Sequence, residues 1–279
     1  MTKHKILITV TTYPLPSRSY DELVCTAGVL ENGQWIRIYP VPLQFLIGSR
    51  KNGKLETFKY NWIELELKKR SDDFRPESHS PTSKGFQDMV VHGAIDTKNN
   101  WAERKKYCLT NVYTNLTKLI ADSEAPKNVS LATFKPSEFT GFEIEEDERE
   151  WKKEWREQLN QLQMTFDENE QPAQRKLIDK LPYKFFYRFK DDEGKPSRLM
   201  IEDWEIGALY WNCLRASEGD EGKALEKVRE KYQNKFLNHN DIYLFLGTTK
   251  EWHTRRAKNP FVIIGIFYPQ IENQFALDL

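Results

Sequence analysis

Cysteine is scarce: Cys25, Cys108 and Cys213 stand far apart, with no Cys-x-x-Cys pair and no Cys/His cluster. That spacing excludes the usual zinc ligand sets and a disulfide framework. Each thiol has apolar neighbours and reads as a small core residue. No metal and no cofactor is expected. The chain also lacks a P-loop, a Gly-x-Gly-x-x-Gly turn and a Ser/His/Asp elbow, which removes the common signals for phosphoryl transfer, dinucleotide binding and serine-type hydrolysis. No apolar run approaches the length of a membrane span, and Met1-Thr-Lys-His-Lys-Ile6 is not a signal peptide, so a cytoplasmic protein without membrane contact is expected. Net charge is absent too: 42 basic residues balance 42 acidic ones, and the whole molecule exerts no long-range pull on a polyanion.

Aromatic residues are plentiful. They make up 13% of the 279 residues, with 8 Trp, against a mean hydropathy of -0.72. So many rings argue for a folded, aromatic-heavy core rather than disorder. The length fits one large domain or two ordinary ones. Charge is unevenly spread: residues 138–170 carry 12 acidic and 4 basic side chains, whereas 173–200 carry 8 basic and 4 acidic. Such blocks either solvate a surface or make a basic face beside an acidic one.

Residues 5–13 read as an opening strand broken by Pro14 and Pro16. Leu23–Leu30 and Gln34–Tyr39 flank Glu31-Asn-Gly33, and Asn-Gly between β-rich runs predicts a hairpin. Phe58–Lys69 alternates as a further strand. Four strands within about 70 residues suggest a small barrel of OB type. Trp101–Asp122 reads as one helix, and Glu145–Gln163 as an acidic exposed helix carrying Trp151 and Trp155. Tyr183–Lys190 and Arg198–Ile201 form a hairpin, followed by helices over 202–215 and 220–237. The last third is the most informative: two apolar runs, Asp241–Gly247 and Phe261–Phe267, predict a buried hairpin. Its loop, residues 248–259, carries Lys250, Trp252, His253, Arg255, Arg256 and Lys258. A rigid hairpin lifting such a loop into solvent suits an anionic, stackable ligand.

Other candidates follow from residue type and spacing. Trp35, Arg37 and Tyr39 share one strand face, an aromatic-cation-aromatic stripe of the kind that stacks single-stranded nucleic acid, or else a core edge with Arg37 paired to Glu64 or Glu66. Ser17 and Arg18, on a proline-stiffened loop, are candidate phosphate contacts because Arg offers a bidentate fork and Ser a short donor. Asp72-Asp-Phe-Arg-Pro-Glu-Ser-His79 gathers carboxylates, Arg75 and His79 on one loop, a set that serves metal binding or acid/base work or else a solvated turn, with no spacing that fixes a geometry. Glu64-Leu-Glu66-Leu-Lys68 holds a Glu-x-Lys fragment common by chance. Asp203 and Glu205 open a helix and complement its dipole; they become catalytic candidates only if the fold brings His253 or Arg255 to them.

Together, Tyr13-Pro-Leu-Pro-Ser17, Val24-Cys-Thr-Ala-Gly28, Trp35-Ile-Arg-Ile-Tyr-Pro-Val-Pro42, Arg75-Pro-Glu-Ser78, Ile201-Glu-Asp-Trp-Glu205 and Phe245-Leu-Gly-Thr248 resemble an uncharacterised bacterial family along nearly the whole chain. The resemblance brings no activity with it; it implies a bacterial protein of genome maintenance or defence. That family carries Cys and Gly-His in the hairpin before Asp-Trp-Glu, where this chain has Asp191-Asp-Glu-Gly-Lys-Pro-Ser-Arg198. The terminal strand-loop-strand is similar to the closing hairpin of PUA-, ASCH- or EVE-type barrels, which implies binding of RNA or modified bases.

The expected fold is α+β, with two small, mainly antiparallel OB/PUA-like β-barrel modules and helical insertions. The expected division is an N-terminal barrel over 1–135, an acidic connector over 136–175 and a C-terminal module over 176–279. The leading function is binding of nucleic acid or a modified nucleotide without catalysis, through Trp35, Arg37, Trp252, His253, Arg255 and Arg256, with Ser17 and Arg18 on phosphate. One alternative is a metal-dependent nuclease or nucleotide hydrolase using Asp203, Glu205 and His253, or the Arg75–His79 loop. Another is a subunit that docks a protein partner through helix 145–163.

Overall fold

The computed structural model describes residues 2–12, 15–16, 22–42, 50–51, 54–55, 58–82, 88–151, 153 and 179–272. Its first unit is built from strands β1 (Thr2–Thr11), β2 (Leu15–Pro16), β3 (Glu22–Leu30), β4 (Trp35–Pro42), β5 (Arg50–Lys51), β6 (Lys54–Leu55), β7 (Asn61–Lys69), β8 (Ser78–Pro81) and β9 (Val90–Ala94). Pairing runs β1-β3-β4-β8-β7, and β7 pairs back onto β1, so five strands close a barrel. Only the β4–β8 pairing in that ring is parallel. The alternation expected of half-buried strands fills the interior: Ile6, Ile8, Ile36, Ile38, Val41, Ile63, Leu65 and Leu67 form one apolar cluster, while Glu64 and Glu66 lie on the opposite face of β7. The predicted Asn-Gly hairpin joins β3 to β4. Gly33 supplies the positive φ of its turn (+78°), and a Cβ there would lie 2.1 Å from Thr110 Oγ1.

The outer face of this barrel is also buried. Between Ile8 and Val10 the β1–β3 register shifts by one residue, and a bulge transfers the following side chain to the other face. Ile8 therefore stays inside the barrel, while Val10 joins Leu7, Ala27 and Val29 in a second cluster with Leu131, Phe245, Ile264 and Phe267. These partners come from the second unit.

That unit begins with α1 (Lys98–Cys108), β10 (Val112–Tyr113), α2 (Leu116–Asp122), β11 (Leu131–Phe134) and β12 (Glu138–Glu146). It continues with β13 (Tyr183–Lys190), β14 (Pro196–Ile201), α3 (Trp204–Ala216), α4 (Glu221–Arg229), a π-helical turn (Glu230–Lys235), α5 (Phe236–His239), β15 (Tyr243–Thr248), α6 (Lys250–Thr254) and β16 (Phe261–Phe267). The seven strands β10-β11-β15-β16-β14-β13-β12 form one mixed sheet. One face of the sheet packs against Ile206, Tyr210, Ala224, Val228, Tyr232 and Phe236 of the helices. Phe245, Ile264 and Phe267 point the other way, onto the barrel.

The α+β expectation holds, with one barrel closed. The second unit is an open sheet among the described residues: no pairing joins β10 to β12. The expected single helix over 101–122 is broken, because Val112 and Tyr113 pair with Thr133 and Phe134 and Asn115 caps a new helix by accepting from Lys118 N. Val112–Tyr113 and Leu131–Phe134, within the range assigned by sequence to the N-terminal module, are strands of the second sheet. Glu138–Glu146, assigned to the connector, pairs with β13; residues 154–178 lie outside the described part. The terminal hairpin forms as expected, antiparallel from Tyr243↔Phe267 to Thr248↔Phe261.

Close backbone approach makes one glycine of the barrel irreplaceable. A Cβ on Gly28 would sit 2.3 Å from the Leu7 carbonyl oxygen, and a strand carbonyl has nowhere to move. Gly28→Ala is expected to destabilise the protein by about 1–3 kcal/mol or more, the scale of an overpacked core. Urea unfolding of the variant and the parent measures it; equal midpoints would contradict the packing described here.

Candidate nucleic-acid interface

The polar residues of the predicted sites separate into those turned inward and those left in solvent. Arg37 is turned inward, only 5% exposed. Its guanidinium donates to Ser130 Oγ (2.8 Å), Ser78 Oγ (3.3 Å) and the carbonyls of Ser130 (3.1 Å) and Thr248 (3.4 Å). The outer strand face that carries it is the face covered by the second sheet, so Arg37 is buried at the junction of the two units instead of standing on an open face. Nor does it pair with Glu64 or Glu66: Glu64 lies 3.7 Å from the Lys3 ammonium and 3.2 Å from His92 Nε2. Trp35, one alternate position away, is half-buried with its ring edge-on to Phe245 at 5.0 Å. Tyr39 lies under the Arg70 guanidinium, 5.1 Å from the ring.

The loop from Arg70 to Glu77 meets the same junction. Arg75 donates to the Thr248 carbonyl at 2.7 Å and forks onto Asp73. Burial alone would raise the Asp73 carboxyl; the adjacent guanidinium overrides it and holds the group well below the usual carboxylate range. Glu77 accepts from the Ser130 amide (3.0 Å) and hydroxyl (2.7 Å). The Arg75–His79 segment is thus a structural clasp; His79 Nδ1 lies 2.8 Å from the Glu77 carbonyl oxygen.

In the hairpin loop, Thr249 caps α6 by accepting from Trp252 N. His253 is buried, with Nδ1 3.0 Å from Thr248 Oγ1 and Nε2 2.6 Å from the Ser123 carbonyl, and burial pushes its pKa down. Both ring nitrogens are occupied, so His253 pins the loop from within. Trp252, Arg255 and Arg256 remain in solvent, with Trp252 49% exposed. Arg255 lies 5.8 Å from the Trp252 ring and pairs with Glu251 at 2.9 Å. Ser17 and Arg18 lie outside the described residues, as does most of helix 145–163, whose first two residues end β12.

A half-open cleft of about 1020 Å³ runs between the barrel and the edge of the second sheet. Gln34 and Trp35 from the barrel, His79 from β8, Asn111 and Tyr113 along β10 and Lys118 from α2 line it. Its size and its mixture of rings and amides suit a small ligand or one or two nucleotide units. Sequence spacing alone did not point to Asn111, Tyr113 or Lys118, since the cleft exists only where the two units meet.

The alternative catalytic set does not assemble. Asp203 and Glu205 face Lys59, at 3.9 and 2.8 Å, while His253 faces Ser123 and Thr248. Asp203 caps α3 through Oδ1, and its Oδ2 is buried with no hydrogen-bond partner among the described residues. Burial raises the Asp203 carboxyl to about 7. Burial works the same way on Glu205, but Lys59 overrides it and holds that carboxyl low. Lys59 itself is raised, its two carboxylates outweighing its own desolvation. Cys108, buried, and Cys213 are free thiols, and no group of metal-ligating side chains occurs among the described residues. No helix among them is long and apolar enough to cross a membrane.

Residues 99–278 match the family model of DUF8757, a domain of unknown function. The chain belongs to the DUF8757 family. Residues 2–110 match DUF8758, also a domain of unknown function. No curated protein matches the chain. A solved structure of a murine DNA binding protein bound with double-stranded DNA is similar at 10% identity and a TM-score of 0.30, over 98% of this chain and 96% of that one. A likeness at that score establishes neither fold nor ligand.

The Lys59 cluster makes a prediction with a defined sign. Asp203 binds its proton more tightly folded than unfolded, so its contribution falls as pH rises from about 4 to about 7. Asp203→Asn, which keeps a helix-capping oxygen, should flatten that decline. Lys59→Met should destabilise by roughly 3–5 kcal/mol at pH 8, where it strands a buried carboxylate, and by less at pH 5, where Asp203 is protonated. Urea unfolding at the two pH values decides it; a pH-independent loss in Lys59→Met would contradict the assignment.

Proposed function

We propose that this protein binds nucleic acid or a modified nucleotide and performs no catalysis of its own. The observation that carries the reading is the β15–β16 loop: it holds Trp252, Arg255, Arg256 and Lys258 in solvent while burying the one histidine that anchors it. An anchored loop with an exposed ring and clustered cations suits a ligand offering both base faces and phosphates.

The strand order supports an OB-type reading of the barrel, with strands one to five taken as β1, β3, β4, β7 and β8. In OB-type barrels the loops joining strands one to two and four to five border the ligand. Here those are residues 12–21, which contain Ser17 and Arg18, and residues 70–77. We take Ser17 and Arg18 as additional phosphate contacts. The usual ligand face over strands two and three is occupied by the second sheet, which leaves the Trp35 cleft and the loop rims as the accessible surface. The PUA-like reading is kept for the terminal hairpin, and a place in bacterial genome maintenance or defence follows from the family resemblance. Nothing in the arrangement of Asp203, Glu205 and His253 favours the hydrolase alternative.

Arginine-phosphate contacts and base stacking respond differently to salt. Arg255→Ala with Arg256→Ala should weaken oligonucleotide binding and flatten the log-log salt slope by about 0.7 per lost phosphate contact. Trp252→Ala should weaken binding by roughly 1–3 kcal/mol with the slope nearly unchanged. Fluorescence anisotropy with labelled single-stranded DNA and RNA, plain and modified, between 20 and 200 mM salt (about the range over which such contacts are screened) checks both. A parent protein that binds none of them at low salt ends the reading.

A further inference from the structure

The loop between β7 and β8 inverts the ordinary rule of burial. Asp73 and Arg75 are buried at 5% and 6% exposure, whereas the Phe74 between them is 47% exposed. Charged groups are among the residues least often buried, and an exposed large ring beside them is the informative exception. The inversion is held rigidly. The Arg75 fork grips Asp73, and its remaining nitrogen donates to the Thr248 carbonyl at the base of the β15–β16 loop. Asp73 Oδ1 also accepts from the Arg75 amide at 3.1 Å. Phe74 therefore cannot fold inward without breaking a buried ion pair.

The neighbouring loop repeats the pattern. His253 is buried and Trp252 beside it is exposed. The Phe74 ring stands edge-on to the His253 ring, with centroids 4.8 Å apart. Phe74 thus packs on the buried imidazole that follows Trp252 in the chain, and the two exposed rings stand on adjoining loops contributed by different units of the fold. Lys250 reaches across to Asp72 of the first loop; on the second loop Arg255 lies 5.8 Å from the Trp252 ring, and Arg256 and Lys258 are exposed. Pro76 and Glu77, at the end of the first loop, belong to the wall of the Trp35 cleft.

We infer that Phe74 and Trp252 form a preorganised two-ring stacking platform for the unpaired bases of a single-stranded nucleic acid, continuous with the Trp35 cleft. The inference rests on the nucleic-acid reading above and adds to it a strand class and a residue. A duplex hides its base faces, so exposed rings gain little from it; unpaired bases offer a face each, whatever the sequence. The surrounding cations supply the phosphate attraction that a purely apolar partner surface would not need. Because the loop is already ordered by Asp73 and Arg75, binding pays little ordering entropy at Phe74.

The test compares single-stranded and blunt duplex oligonucleotides of the same sequence by anisotropy at low salt. Phe74→Ala is expected to weaken single-strand binding roughly 5- to 150-fold, the equivalent of about 1–3 kcal/mol per stacked base, with the salt slope unchanged and duplex binding little affected. Phe74→Leu, which keeps the bulk, should show most of the same loss, and Phe74→Trp should retain binding. Urea midpoints equal to the parent's certify the fold of each variant. If the parent binds single strands and a folded Phe74→Ala binds them equally well, the platform is overturned while the nucleic-acid reading stands. Equal losses on single strands and duplexes overturn stacking in favour of a general surface contact. If the parent binds no oligonucleotide, the reading falls and the platform with it.

Discussion

Two arginines from the barrel converge on one carbonyl of the sheet. Arg37 from β4 and Arg75 from the β7–β8 loop both donate to Thr248, and Ser130 and Glu77 complete the junction. A buried guanidinium is tolerable only when its donors are met, so the two units are fixed in one relative position by the need to satisfy these groups. The apolar contact around Phe245, Ile264 and Phe267 supplies area. The arginines supply register. Everything proposed about ligand binding depends on it, because Thr248 is the last residue of β15 and sets where the exposed loop begins.

The same constraint explains why the accessible rings lie where they do. With the outer barrel face consumed by packing, Arg37 is unavailable and Trp35 survives only at the rim of a cleft. Phe74 and Trp252 stay outside because their neighbours Asp73, Arg75 and His253 are committed inward. Burying polar groups while apolar ones stay exposed is energetically unfavourable taken residue by residue, and here the Asp73–Arg75 pair and the Thr248 carbonyl offset it.

A second buried polar site joins the units elsewhere. Lys59 follows from the barrel side and Asp203 with Glu205 from the start of α3, and an isolated bridge links Thr12 to Asp203. Tyr60, beside Lys59, adopts φ of +60°, has a buried hydroxyl with no partner among the described residues, and lies 3.8 Å beneath the Arg104 guanidinium. An aromatic residue held in that conformation is strained, and the surrounding rings of Trp101 and Phe267 keep it there. Asp203 serves as a helix cap at this junction, and its elevated carboxyl follows from the desolvation that the junction imposes.

By itself the sequence determined what is local. The Asn-Gly turn, the alternation in β7, the apolar runs of the terminal hairpin and the exposed Trp252-Arg255-Arg256 loop all follow from spacing, because strand period and turn chemistry act over a few residues. Strand faces were legible, but not which faces would be covered. A one-residue bulge moves Val10 out of the barrel, and Arg37 disappears beneath Ser130 and Thr248, 93 and 211 positions away. The helix expected over 101–122 broke because β10 found a partner in β11, a pairing no local propensity encodes. Phe74 carried no signal beyond being a lone ring in a polar turn; its meaning comes from Asp73 and Arg75 being drawn inward by Thr248. Only tertiary structure could decide that, since burial of a charge is settled by the partners that arrive from elsewhere in the chain.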